Sequence, residues 1–219
     1  PGLLRRRAAA GTDHLDLYLI HHWPEDVPLE AVLETMARIR ERGLVRFLGV
    51  SNFHAEQTRA ASAITRIEAV QPRYSLLVPQ IEQALLPLCR EQGLGVLAHS
   101  SLAKGLLSGR YDRDSVFDPA DERATMPAFM GQIYQREMDV VDGLREMAAD
   151  KGVTPTQLSL AWVLGEPAIS CALVGPKRPE QMTEAIGALE VELAPDERAA
   201  LRVLAVGKEP PLGAFDPRR

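Results

Sequence analysis

Val45-Arg46-Phe47-Leu48-Gly49-Val50-Ser51-Asn52-Phe53 is a short β-rich run that stops in two polar residues. Too short for a helix, it lies between two amphipathic stretches, Leu29 to Arg42 before it and Glu56 to Ile64 after it. Arg42-Gly43 closes the first with a glycine after a charged last turn, the usual helix stop. The alternation continues in both directions. Further strand-like runs are Leu15 to Ile20, the weak Ala69-Val70, Gly95 to Ala98 and Ile169 to Val174. Helical stretches fall between them at Gln80 to Gln92, Gln135 to Lys151 and Pro179 to Leu189, with extra helices at Thr156 to Leu164 and Asp196 to Leu204. Gln92-Gly93 and Lys151-Gly152 repeat the stop signal. Repeated strand–helix units force a parallel sheet with right-handed crossovers, so the fold class is α/β, either an open doubly wound sheet or a (β/α) barrel.

Composition narrows the classes. With 219 residues, 46% hydrophobic and 25% charged, the chain has the balance of a globular domain rather than of a disordered or fibrous one. The net charge of -5 offers no basic footprint for nucleic acid, and no apolar run reaches the length of a membrane span. Cys89 and Cys171 form no CxxC or Cys/His pairing, so neither a disulfide framework nor a metal site is indicated and a cytoplasmic setting is expected. Pro1 to Ala8 has no signal-peptide core and no starting Met, which suggests that the chain begins partway through a larger protein. No GxGxxG follows a strand, so a Rossmann dinucleotide site has no support. Ser100 to Tyr134 is the one long irregular stretch, of the kind that is functional or mobile.

Chemistry in parallel α/β folds gathers where strands end. The first run delivers His21-His22-Trp23-Pro24, and period-two alternation puts His21 with Leu17 and Leu19 while His22 shares the opposite face. Such a histidine can equally be a hydrogen-bonded core residue. The second run delivers Ser51-Asn52, a pair that also serves as a turn or helix cap, and the third delivers Gln71. Together these hydroxyl and amide groups could bind a carboxamide. The fourth delivers His99-Ser100-Ser101 and opens the long loop through Leu102, Lys104 and Ser108. The last ends in Gly175-Pro176-Lys177-Arg178-Pro179-Glu180-Gln181, where a helix N-terminus and two cations suit a phosphate, unless the cations are merely solvated.

These pieces, in this order, resemble an aldo-keto reductase. The resemblance rests on Gly11 to His21, Arg46 to Phe53, Gln71 with Tyr74 to Leu77, Ser100 to Tyr111, Gln157 to Leu164, and Val174-Gly175 with Pro179 to Gln181, and covers about residues 3 to 204. It implies a (β/α)8 barrel of the TIM type, with only about five of the eight βα units in this chain. It further implies reduction of an aldehyde or ketone by NADP(H). By the same resemblance His21 matches the catalytic histidine, and Ser51, Asn52 and Gln71 match the residues holding the nicotinamide carboxamide. Ser100, Leu102 and Ser108 fall along the pyrophosphate. Gly175, Lys177 and Gln181 fall at the adenosine phosphate.

The chain also departs from the family's pattern. His99 stands where an aromatic usually stacks on the nicotinamide, Ala185 where an Asn contacts the adenine, and Arg73 in place of an acidic residue. The tetrad's Asp, Tyr and Lys belong to units before the matched region, so the expectation is a single domain representing the C-terminal portion of a reductase, inactive by itself. Residues 205 to 219 then form a tail. The alternatives are a non-catalytic nicotinamide-binding regulatory subunit and a structural partial barrel. The expected partner is a small carbonyl compound, with no nucleic acid and no membrane, and with the oligomeric state open.

Overall fold

The computed structural model describes residues 11–207. Residues 3 to 10 of the matched range and 208 to 219 of the expected tail lie outside them. The described residues group into two compact units, 11–72 with 81–97 and 73–80 with 98–207.

In the first unit β1 (Leu15–Ile20), β2 (Val45–Ser51), β3 (Ala69–Gln71) and β4 (Gly95–Ala98, its last residue in the second unit) follow one another in parallel, in sequence order. Parallel neighbours need crossovers, supplied by α1 (Leu29–Glu41), α2 (Ala55–Ile64) and α3 (Leu85–Gln92). The register sets Leu17 opposite Phe47, Leu19 opposite Gly49 and Gly49 opposite Ala69 on one face. Leu48 and Val50 point to the other face and are fully buried. Glu68 reinforces the order of strands, its carboxylate accepting from the Leu48 N–H at 2.8 Å and pairing with Arg40 at 3.4 Å.

Local signals explain most boundaries. His54 and Gln57 cap α2 reciprocally, the His54 N–H donating to Gln57 Oε1 at 3.0 Å. Gly43 and Gly93 take the left-handed conformation that a helix stop requires, at φ 68° and 65°. The stretch expected as one helix from Gln80 to Gln92 is divided. A 3₁₀ turn at Gln80–Gln83 precedes α3, and Pro87 falls in the first turn of α3, where its missing N–H is harmless; a continuous helix would have placed it inside.

The second unit is mainly helical. It contains α4 (Gly131–Lys151), α5 (Pro155–Leu164), α6 (Pro179–Ile186) and α7 (Pro195–Ala205), with α4 packed on α5 and α7. Thr154 and Gln157 cap α5, which is apolar on all sides and almost entirely buried, with Trp162 against Tyr74 at 5.3 Å between ring centroids. The strand expected over Ile169 to Val174 shrinks to β5 (Cys171–Ala172), next to which the Leu173 N–H donates to the Ala98 carbonyl at 2.8 Å. The helix expected over Pro179 to Leu189 ends at Ile186 and tightens into a 3₁₀ turn, Gly187–Glu190. Ser100 to Tyr134 holds three short 3₁₀ turns, at Ala103–Ser108, Glu122–Thr125 and Pro127–Phe129, and the first residues of α4. Among the described residues no helix is long and apolar enough to cross a membrane.

Candidate functional site

Four of the expected residues come together in the first unit. Ser51 and Gln71 are register partners at the ends of β2 and β3, on the face shared by Leu19 and Gly49, and His21 lies one residue beyond β1 with the same parity. The Ser51 hydroxyl is buried and donates to the Gln71 backbone carbonyl at 2.9 Å. Asn52 takes a left-handed backbone conformation, φ 59°, which turns its side chain back across the strand ends. Its N–H donates to the Gln71 carbonyl at 3.1 Å and its side-chain amide donates to the His21 carbonyl at 2.9 Å and to Ser51 Oγ at 3.2 Å. One hydrogen-bonded cluster therefore ties three successive strand ends together. His21 is exposed and His22 half-buried, their rings 4.2 Å apart between centroids.

The remaining expected residues lie in the second unit, in two groups. His99 Nδ1 is 3.0 Å from Ser100 Oγ, and the His99 carbonyl accepts from the Tyr74 N–H at 3.1 Å. Ser100, Ala103 and Lys104 are left-handed without being glycine, at φ 56°, 47° and 57°. Each such residue costs about 1–2 kcal/mol, which makes this a strained backbone of the kind found where chains bind ligands. Leu102 caps the 3₁₀ turn, its carbonyl accepting from Gly105 and Leu107, and the Ser108 hydroxyl donates to the Gly105 carbonyl at 2.6 Å.

At the last strand end, Gly175, Lys177 and Arg178 are exposed. Gln181 Oε1 accepts from the Lys177 N–H at 2.7 Å and the Arg178 N–H at 3.2 Å. The expectation that an open helix N-terminus awaits an anion is corrected in this respect: a side chain of the helix already satisfies these two donors. The side chains of Lys177 and Arg178 are left as the cationic elements of the segment.

Two acids in the long loop escaped the sequence reading. Glu122 pairs with Lys104, Oε1 to Nζ 2.8 Å. Asp121 caps the turn by accepting from the Arg123 N–H at 3.0 Å and also pairs with the Arg123 guanidinium, which lies over the rings of Tyr111 and Phe117 at 5.2 and 5.1 Å. Arg123 foremost, with a smaller contribution from Lys177, holds the Asp121 carboxyl well below the usual carboxylate range. No periodicity marks either acid, because the segment is irregular.

The chain is similar to several known proteins. Aldo-keto reductase str7 of Strobilurus tenacellus is 35% identical over 92% of this chain and 61% of its own length. Aldo-keto reductase yakc [NADP(+)] of Schizosaccharomyces pombe is 30% identical over 84% of this chain and 55% of its own, and YhdN of Bacillus subtilis 32% over 78% and 52%. The chain thus spans between 52% and 61% of the length of these relatives. A glycerol dehydrogenase from Gluconobacter oxydans shares the fold, with a TM-score of 0.85 at 24% identity over 99% of this chain and 64% of that one. The thermostable aldo-keto reductase Tm1743, solved with the inhibitor epalrestat, gives 0.71 at 27% over 92% and 64%. These likenesses confirm an α/β fold with a parallel sheet; they do not confirm the count of five units. The family model runs through nearly all of the chain, so it does not bear out the expectation of a C-terminal portion only. Matched by the aldo/keto reductase model over residues 4–205, the chain belongs to the aldo/keto reductase family.

Proposed function

We propose that this chain carries the NADP(H)-binding rim and the carbonyl-orienting histidine of an oxidoreductase that reduces an aldehyde or ketone to an alcohol on a (β/α)8 barrel. The observation that carries the reading is the cluster of Ser51, Asn52 and Gln71 fastened to the backbone of His21. The donor set fits the cofactor. A hydroxyl and two amides at adjoining strand ends complement a carboxamide, which both donates and accepts, and the exposed Lys177 and Arg178 complement phosphate. The relative yakc [NADP(+)], named for that cofactor, supports the same choice.

Bound NADPH supplies the hydride. His21 donates a hydrogen bond to the substrate carbonyl oxygen, strengthening as negative charge develops there. His99 would border the nicotinamide, while Ser100, Leu102 and Ser108 would line the pyrophosphate. Gly175, Lys177 and Gln181 would hold the adenosine phosphate end. The family's tyrosine and lysine have no counterpart among the motifs matched here, so the chain by itself lacks the general acid that reduction requires. The same observation favours a second reading, a nicotinamide-binding subunit without turnover. The reaction calls for no metal, nucleic acid or membrane, and a cytoplasmic setting suits it.

Titrating the chain with NADPH, and then offering simple aldehydes and ketones while nicotinamide absorbance is followed, tests both halves of the reading. NADPH should bind, Gln71→Ala should weaken it about tenfold, in line with a lost hydrogen bond and a partner left unsatisfied, and no turnover should follow. Absence of NADPH binding overturns the function, and turnover by this chain overturns the missing general acid.

A further inference from the structure

Lys104 sits at the centre of the strained turn, where the backbone conformation fixes the base of its side chain. Ala103, Lys104 and Gly105 are successively left-handed, at φ 47°, 57° and 93°, and Leu102 closes the turn by accepting from Gly105 at 2.9 Å and Leu107 at 3.2 Å. The lysine stem therefore leaves the chain in a fixed direction. Its ammonium meets Glu122 at 2.8 Å, with the two side chains 31% and 49% exposed. Glu122 is presented just as firmly. It opens a turn whose cap, Asp121, is locked to Arg123, and Arg123 lies over two aromatic rings. Lys177 adds a small share to the lowering of the Asp121 carboxyl, after the larger share from Arg123, so the cap and the first residue of this turn each have a lysine as a counter-charge.

An exposed carboxylate 2.8 Å from an ammonium occupies the place a phosphate oxygen would take. We propose that Glu122 is an internal counter-anion, which holds Lys104 in place and is displaced from it by a cofactor phosphate, so that Glu122 sets the affinity for the nucleotide. This rests on the cofactor reading above. Because the pair is only partly screened from water, the competition is mild, and the two negative charges of the cofactor's pyrophosphate prevail over a single carboxylate charge.

The test is calorimetric titration of the 219-residue chain with NADP⁺, comparing Glu122→Gln, Lys104→Gln and the double variant, with thermal midpoints measured alongside. Glu122→Gln should bind about threefold more tightly at low salt, the size expected of an exposed ion pair. Its affinity should also fall more steeply with salt, because salt no longer weakens a competing internal pair. Lys104→Gln should bind more weakly, and in that background the Glu122→Gln change should bring no gain. Unchanged or weaker binding by Glu122→Gln overturns the proposal. So does a gain that persists without Lys104, since that is a long-range effect of net charge. If the unaltered chain binds no NADP⁺ at all, the cofactor reading itself falls, and the counter-anion role with it.

Discussion

The side-chain amide of Asn52 donates to the backbone carbonyl of His21 at 2.9 Å, across the ends of two parallel strands. The bond exists because Asn52 is left-handed, a conformation that asparagine tolerates better than most residues. Through it, the position of His21 depends on a residue 31 places later in the chain.

Asn52→Ala removes this bond and strains the backbone, whereas Asn52→Gly removes the bond and relieves the strain. Unfolding free energies from denaturant titrations should therefore fall in both, by about 2–3 kcal/mol for alanine and about 1 kcal/mol for glycine. Equal losses would show that the backbone conformation contributes nothing.

Gly49 offers a sharper probe of the same rim. A Cβ there would collide with the Leu19 side chain and approach the Ala69 carbonyl oxygen to 2.5 Å, so β2 would be pushed away from its neighbours two residues before Ser51. Gly49→Ala should cost about 2–4 kcal/mol, as overpacking against backbone does, and should weaken nucleotide binding as well. Circular dichroism melts and NADPH titration together check it. A variant of unchanged stability would contradict the strand register described here.

How much of this was legible in the sequence follows the physics of each element. β1 and β4 begin and end where alternation and flanking glycines place them, and the reading of His21, Ser51, Asn52 and Gln71 as strand-end residues holds in the structure. What escaped depends on geometry that pattern does not encode. Pro87 reads as part of a helix until its position in the first turn is known. Gln181, at the end of the matched motif, satisfies the Lys177 and Arg178 amides that looked available to an anion. The pairing of Lys104 with Glu122 joins residues 18 apart through an irregular loop with no period to reveal it.

Glu137 is a further residue with no sequence signal beyond its place on the buried face of α4. It is fully buried, both carboxylate oxygens lack a hydrogen-bond partner among the described residues, and burial raises its pKa to about 9. An acid whose folded pKa lies above its unfolded value binds more protons when folded, so stability falls as pH rises through the window from about 4.5 to about 9. Glu137→Gln keeps the shape without the ionisation. It should raise stability at pH 8 by about 1–3 kcal/mol, and that gain should vanish towards pH 4. Urea titrations at a series of pH values check it, and a gain independent of pH would assign the effect to packing alone.

The most direct test of the central claim compares NADPH and NADH binding by the chain and by Lys177→Ala. A cation at the adenosine phosphate end recognises a group that only NADPH carries, through charge-assisted hydrogen bonds of about 1.5–3 kcal/mol. The unaltered chain should prefer NADPH, with the preference shrinking as salt is raised. Lys177→Ala should weaken NADPH about tenfold or more and leave NADH nearly unchanged. Equal affinity of the unaltered chain for both cofactors, or equal losses for both in Lys177→Ala, would contradict the account.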